Sequence, residues 1–117
     1  MAVWDIAGDG SLSRNYKSIA APDGGALPFS FSPIPDTDAY IAVDPNVGYD
    51  ILDLSDAAHN VAVPIQGQVA NCWIDRSAKT GNYYLVDAGL SVLNEIQVDS
   101  NLKGSFVNVC LPILCHD

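Results

Sequence analysis

The sequence predicts an all-β fold of four-stranded antiparallel blades, in the manner of a partial β-propeller; a small β-sandwich is the alternative. Three observations carry this expectation. Residues 80–99 hold a strand, a tight turn and a strand: the apolar run Tyr83-Tyr84-Leu85-Val86 stops at Asp87, turns at Ala88-Gly89 and returns as Val92 to Val98. β-Branched and aromatic residues bounded by turn formers are a hairpin signal. An earlier stretch, Thr37 to Asp56, repeats the pattern. Tyr40, Val43 and Asp44 match Tyr83, Val86 and Asp87 at an offset of 43, and Leu52 and Leu54 match Ile96 and Val98 at an offset of 44. A fainter third copy opens the chain at Val3-Trp4-Asp5, with Asp5 lying 39 residues before Asp44. Periods of about 40–45 residues with four short strands each are the mark of propeller blades.

In chain order, residues 1–20 are expected to form the later part of a blade. Ala2 to Ile6 is a strand, Ala7-Gly8-Asp9-Gly10 a turn, and Ser11 to Ile19 one or two further short strands. Ala21-Pro22-Asp23-Gly24-Gly25 is a loop by its dipeptides. The second blade occupies residues 27–65. Its first strand, Leu27 to Phe31, ends at Ser32-Pro33-Ile34-Pro35-Asp36; an inner hairpin joins Ala39–Val43 to Tyr49–Leu54 across Asp44-Pro45-Asn46; Val61 to Ile65 is the fourth strand. Pro64 cannot donate to a ladder, which places that strand at an edge. The third blade, residues 70–112, repeats the order with Ala70–Asp75, the hairpin, a turn at Leu102-Lys103-Gly104 and Phe106–Leu111, leaving 113–117 as a tail. Strands such as Tyr-Ile-Ala-Val are apolar throughout, and their short length between turns favours strand over buried helix. About two and a half blades cannot close a ring of 4–8. The chain is therefore expected to be a piece of a larger propeller or a subunit that closes a ring by oligomerising, unless the repeat is coincidental and the fold a sandwich.

Fourteen acidic residues, all but Glu95 being Asp, oppose five basic ones for a net charge of −9. Such a surface repels phosphate, so neither nucleic acid nor an anionic membrane is an expected partner. A hydrophobic fraction of 49% against 16% charged residues argues for a packed core. No apolar run approaches the roughly 18 residues of a membrane-spanning helix, so no membrane insertion is expected. Met-Ala-Val-Trp-Asp-Ile has neither the charged nor the apolar region of a signal peptide, so any leader would lie upstream.

Three stretches give the chain a family likeness: residues Val3 to Ser13 (Val-Trp-Asp-Ile-Ala-x-Asp-Gly-Ser-Leu-Ser), Gly25 to Ser30 (Gly-Ala-Leu-Pro-Phe-Ser) and Lys79 to Asp87 (Lys-Thr-Gly-Asn-Tyr-Tyr-Leu-Val-Asp), continued by Asp99 to Gly104. The chain resembles the fungal secreted proteins labelled 3-carboxymuconate-cyclase-like, built on a lactonase-type seven-bladed β-propeller. The likeness covers roughly residues 3–107 and rests on structural motifs. It implies an internal run of blades, a secreted or cell-wall location and a parent whose chemistry, if any, is lactone formation or hydrolysis. From about Asn108 the sequence departs from the family pattern, as an altered reading frame or retained intron would make it.

Candidate functional residues are few. Asp5, Asp44 and Asp87 occupy matching positions at the end of a second strand, where a carboxylate accepts hydrogen bonds from turn amides. A ring of carboxylates holding a cation is the weaker reading; without a spaced Asp-x-Asp-x-Asp-Gly loop no metal site is assigned, and no cofactor is expected. Asp50, Asp53, Asp56 and His59 form an acidic edge from which an Asp50–His59 acid–base pair could be drawn. Cys72, Cys110 and Cys115 are expected to be buried thiols, and Cys72–Cys110 is the bridge to expect of an exported protein. With His116, their spacing makes a poor zinc set. Trp4 and Trp73, with Tyr83 and Tyr84, are expected in the core, with stacking on a glycan as the alternative. No phosphate loop or nucleophile elbow is present, and catalytic residues are not assignable. The leading expectation is a non-catalytic structural or interaction role, with possible self-association through open blade faces. The alternatives are a lactonase or cyclase drawing on Arg14, Arg76, His59 and His116, and an oligomeric glycan-binding propeller.

Overall fold

Turn residues cut the chain into ten strands over residues 1–111, the part described by the computed structural model. Pro112, Cys115, His116 and the expected tail lie outside the described residues. The strands are β1 (Ala2–Ile6), β2 (Leu12–Ser18), β3 (Phe31–Pro33), β4 (Ala39–Asp44), β5 (Gly48–Asp53), β6 (Val61–Pro64), β7 (Asn71–Arg76), β8 (Tyr83–Asp87), β9 (Val92–Val98) and β10 (Gly104–Cys110), with one turn of 3-10 helix at Ala57–His59. β1 and β2 form a hairpin. β3-β4-β5-β6 and β7-β8-β9-β10 form two antiparallel up-and-down meanders of four strands each. Among the described residues the fold is all-β, in antiparallel sheets of two, four and four strands with no closed barrel.

The ladders follow the sequence closely in the inner hairpins. Tyr40 pairs with Leu52 and Val43 with Tyr49; in the second meander Tyr83 pairs with Ile96 and Val86 with Leu93. Pro64 ends the edge strand β6 opposite Gly48, where its missing N–H costs no ladder bond. Gly48 holds φ 152, and a Cβ there would lie 2.6 Å from the Ile65 nitrogen, so only glycine fits this close turn.

The first strand of the second blade needs correction. Leu27 to Ser30 is not regular strand; β3 runs from Phe31 through Ser32 and Pro33, the residues expected to end it. The lead-in is still tied to β4, since Phe29 N–H donates to Val43 O and Val43 N–H to Ser30 O, each at 2.9 Å. Further back, the amides of Ala26 and Leu27 donate to the side chain of Asp44.

The N-terminal hairpin matches the outer half of a meander. Ala7 N–H donates to Ser11 O and Gly10 N–H to Ala7 O; Asp99 N–H donates to Lys103 O and Leu102 N–H to Asp99 O. Gly10 and Leu102 both have positive φ, 84 and 59, and Ile6 faces Leu12 as Val98 faces Gly104. β1–β2 is thus the counterpart of β9–β10. Asp5 accordingly corresponds to Gln97 in the third strand, not to Asp44 or Asp87 in the second. The likeness of Val3-Trp4-Asp5 to the Val-Asp ends of the other two runs is local, whereas the hydrogen-bonded turn fixes the register.

Alternation gives each meander two faces. In the first, Ala39, Ile41, Val43, Tyr49 and Ile51 lie on what we term the front, and Tyr40, Ala42, Asp44, Asp50 and Leu52 on the back. In the second, Tyr84, Val86, Leu93 and Glu95 are the front, and Tyr83, Leu85, Asp87, Asn94 and Ile96 the back. The front of the first packs on the back of the second: Ile41, Val43, Tyr49 and Ile51 share one buried cluster with Tyr83, Leu85 and Ile96. Each fully buried Ile or Leu there contributes about 2 kcal/mol. Tyr83 Oη donates to Pro33 O at 3.2 Å across the same junction, and the Tyr49 ring occupies the space that a side chain on Gly104 would need.

Candidate functional site

Each meander carries a buried carboxylate at the end of its second strand. Asp44 Oδ2 accepts the amides of Ala26 and Leu27 at 2.7 and 2.9 Å, and its Oδ1 accepts Asn46 at 3.0 Å. Asp87 accepts Val69 at 2.8 Å and Ala70 at 2.9 Å, then Gly89 and Leu90 at 3.0 and 3.2 Å. Both are fully buried. Burial pushes their carboxyls up, but the amides outweigh it and hold both below the usual carboxylate range. Their role is to satisfy backbone donors that burial would otherwise leave unpaired. Asp5 shares none of this: it is exposed, at the irregularity in the β1 ladder, where water already solvates it.

The acidic edge also divides. Asp50 and Asp53 are an odd number of residues apart on β5, so they project from opposite faces. The Asp50–His59 pair is therefore not formed. Instead His59 Nδ1 meets Asp53 Oδ2 at 2.7 Å, and Asp53 Oδ1 accepts the Ser55 amide and hydroxyl at 2.9 and 2.6 Å. Ser55 and then His59 hold the Asp53 carboxyl well below the usual range, and the Asp53 hydrogen bond in turn raises the His59 imidazole. His59 Nε2 lies 3.9 Å from Asp56 Oδ2, so the imidazole stands between two carboxylates. Arg14 stands exposed on β2, while the Arg76 guanidinium lies over the Tyr83 ring, 5.9 Å from its centroid.

Three further expectations are corrected, the first being that the thiols are buried: Cys72 and Cys110 are each only partly buried. Cys72 and Cys110 form no disulfide: they sit on β7 and β10, opposite edges of one sheet with two strands between, and strands about 4.8 Å apart put them beyond bridging reach. Cys72 Sγ instead donates to Ala70 O at 3.3 Å. Trp4 and Trp73 are not core residues; they are 43% and 60% exposed. Trp4 packs on its cross-strand partner Tyr16, with ring centroids 5.2 Å apart, and Trp73 meets Phe29 edge-on at 5.6 Å. Of the aromatics expected inside, Tyr83 is buried and Tyr84 half-buried.

The most distinctive surface is the front of the second meander. Trp73, Val86, Leu93 and Cys110 run across its four strands in one row. Beside it Glu95 accepts Tyr84 Oη at 3.0 Å and Asn82 Nδ2 at 2.6 Å. Val86 and Leu93 stand 43 and 44 residues after Val43 and Tyr49, yet they are half-exposed where Val43 and Tyr49 are buried. Nothing in the sequence separated these two faces, because the apolar runs fill both.

Among the described residues no three His, Cys, Asp or Glu side chains cluster to hold a metal ion, and no helix is long and apolar enough to cross a membrane. No protein-family model, curated protein or solved structure matches the chain.

Proposed function

We propose that this chain is a non-catalytic interaction module, a run of propeller-type blades whose open front face on β7–β10 receives a further four-stranded sheet. One observation carries the reading. The front of the first meander is covered by the back of the second, and the residues of the second meander's own front stand at equivalent positions. A front-to-back contact of this kind is heterologous, so it repeats until a ring closes or a stack extends. The row of Trp73, Val86, Leu93 and Cys110 supplies the apolar part of such a surface, and the Tyr84–Glu95–Asn82 group a polar border. The secreted or cell-wall propeller of the cyclase-like kind is the setting this reading adopts from the sequence resemblance. An acid–base site at Asp53–His59 would serve the lactonase alternative, with Asp56 on the Nε2 side of the imidazole.

Replacing Val86 and Leu93 together by Asp tests the reading. The double variant should keep its β-sheet circular dichroism and lose any self-association of the wild-type chain. Unchanged association would move the contact surface elsewhere.

A further inference from the structure

Asp50 is a buried acid with no role in the interaction face. It is fully buried on the back of the first meander, and neither carboxyl oxygen meets a hydrogen-bond donor. Its counterpart in the second meander, 44 residues on, is Asn94, an amide that donates to Asn71 Oδ1 at 2.9 Å. The fold thus asks for a neutral donor at this position and the first meander supplies a carboxyl group. Residues 22–27 lie directly on it: a Cβ on Gly25 would stand 2.8 Å from Asp50 Oδ1, and Gly24 approaches Ala62 beside it. The same segment is fastened by Asp44, which takes the Ala26 and Leu27 amides.

We propose that Asp50 is a proton-operated latch: with its proton on, residues 22–27 close over the back of the first meander, and with the proton lost they lift from it.

The physical reason is charge. A buried carboxylate without a donor is strongly unfavourable, and an ionised Asp50 would add a second negative charge beside Asp44, which its three amides keep ionised. A proton on Asp50 removes that charge and makes it a donor facing Asp44. The groups around it offer no other relief. β6 presents Ala62 opposite Asp50; Asp53 of β5 lies on the other face; Asp23 of the covering segment is exposed. Burial first, then the Asp44 charge, push the Asp50 carboxyl up to about 7. An unfolded or lifted segment would return it to about 3.9. Between those values the closed form binds the extra proton, so closure weakens as pH rises and stays weak above. Lifting uncovers Asp50 and Ala62 beside it, so the back face would open there under neutral to alkaline conditions.

Amide hydrogen exchange of the full chain tests this. The protection factors of Ala26 and Leu27 should fall about tenfold per pH unit between roughly pH 5 and 7, while those of Val69 and Ala70, held by Asp87, stay level. Asp50→Asn should make Ala26 and Leu27 level as well. Parallel behaviour of the two segments, or an unchanged slope in Asp50→Asn, overturns the proposal. If that variant fails to fold, the wild-type Asp50 carboxyl carbon resonance decides: a midpoint near 7 supports the latch and one near 4 overturns it.

Discussion

Asp87 holds the amides of Val69 and Ala70 as Asp44 holds those of Ala26 and Leu27, 43 residues earlier. Each carboxylate ties the segment entering its meander to the end of the second strand. The repeat is therefore one of hydrogen bonds as well as residue types, and it explains why an acid recurs in an otherwise apolar run.

Asp87→Ala should be among the most damaging single changes. Removing the acceptor leaves four amides to find water or go unpaired, and a charged acceptor's loss costs about 3 kcal/mol or more. Urea unfolding of the variant should show that loss, with Asp44→Ala similar. Since both carboxyls are held below their ordinary value, their stabilisation is present above about pH 4 and is lost as pH falls through the lowered values. Acid unfolding of wild type should be steep there and shallower in either variant.

The Tyr49 hydroxyl is buried without a partner and its ionisation is pushed up to about 12. Tyr49→Phe should consequently be neutral or slightly stabilising in thermal unfolding, since it removes an unsatisfied polar atom. Gly104→Val should do the opposite. Its side chain would enter the Tyr49 ring's space and cost about 1–3 kcal/mol.

His59 supplies a second pH dependence, opposite in sense to the acid limb. Its imidazole is raised chiefly by Asp53, so the pairing is fully present below about pH 6.5 and is lost as pH rises through the raised value. In an Asp50→Asn background, Tm should fall modestly across that window, and His59→Ala should remove the fall.

Mild oxidation should yield no peptide linking Cys72 to Cys110 in a mass map, because β8 and β9 stand between their strands. Such a crosslink within one chain would mean the second meander is paired differently.

The hairpins about Asp44 and Asp87 were legible because turn formers bound β-branched runs on both sides, and Pro64 marked its edge. What escaped were features decided by distant partners. β3 starts late, at Phe31, although its lead-in is bonded to Val43 and Asp44. Asp5 resembles Asp44 in sequence but belongs to a hairpin whose register is set at Gly10. Trp4 and Trp73 stand exposed, against Tyr16 and Phe29 respectively, because no second sheet among the described residues covers the faces they stand on, a fact no residue pattern carries. Asp50 could not be told from the surface acids around it, since what lies against it, Gly25, comes from a segment 25 residues earlier.

The most direct measurement is the solution mass of the chain by light scattering after size exclusion, over a range of concentrations. If the front of β7–β10 is a docking face, the mass should rise above the 12.4 kDa of one chain as concentration increases, and the doubly charged Val86/Leu93 variant should stay at that value. A folded wild-type chain that remains at one monomer mass throughout would contradict the account.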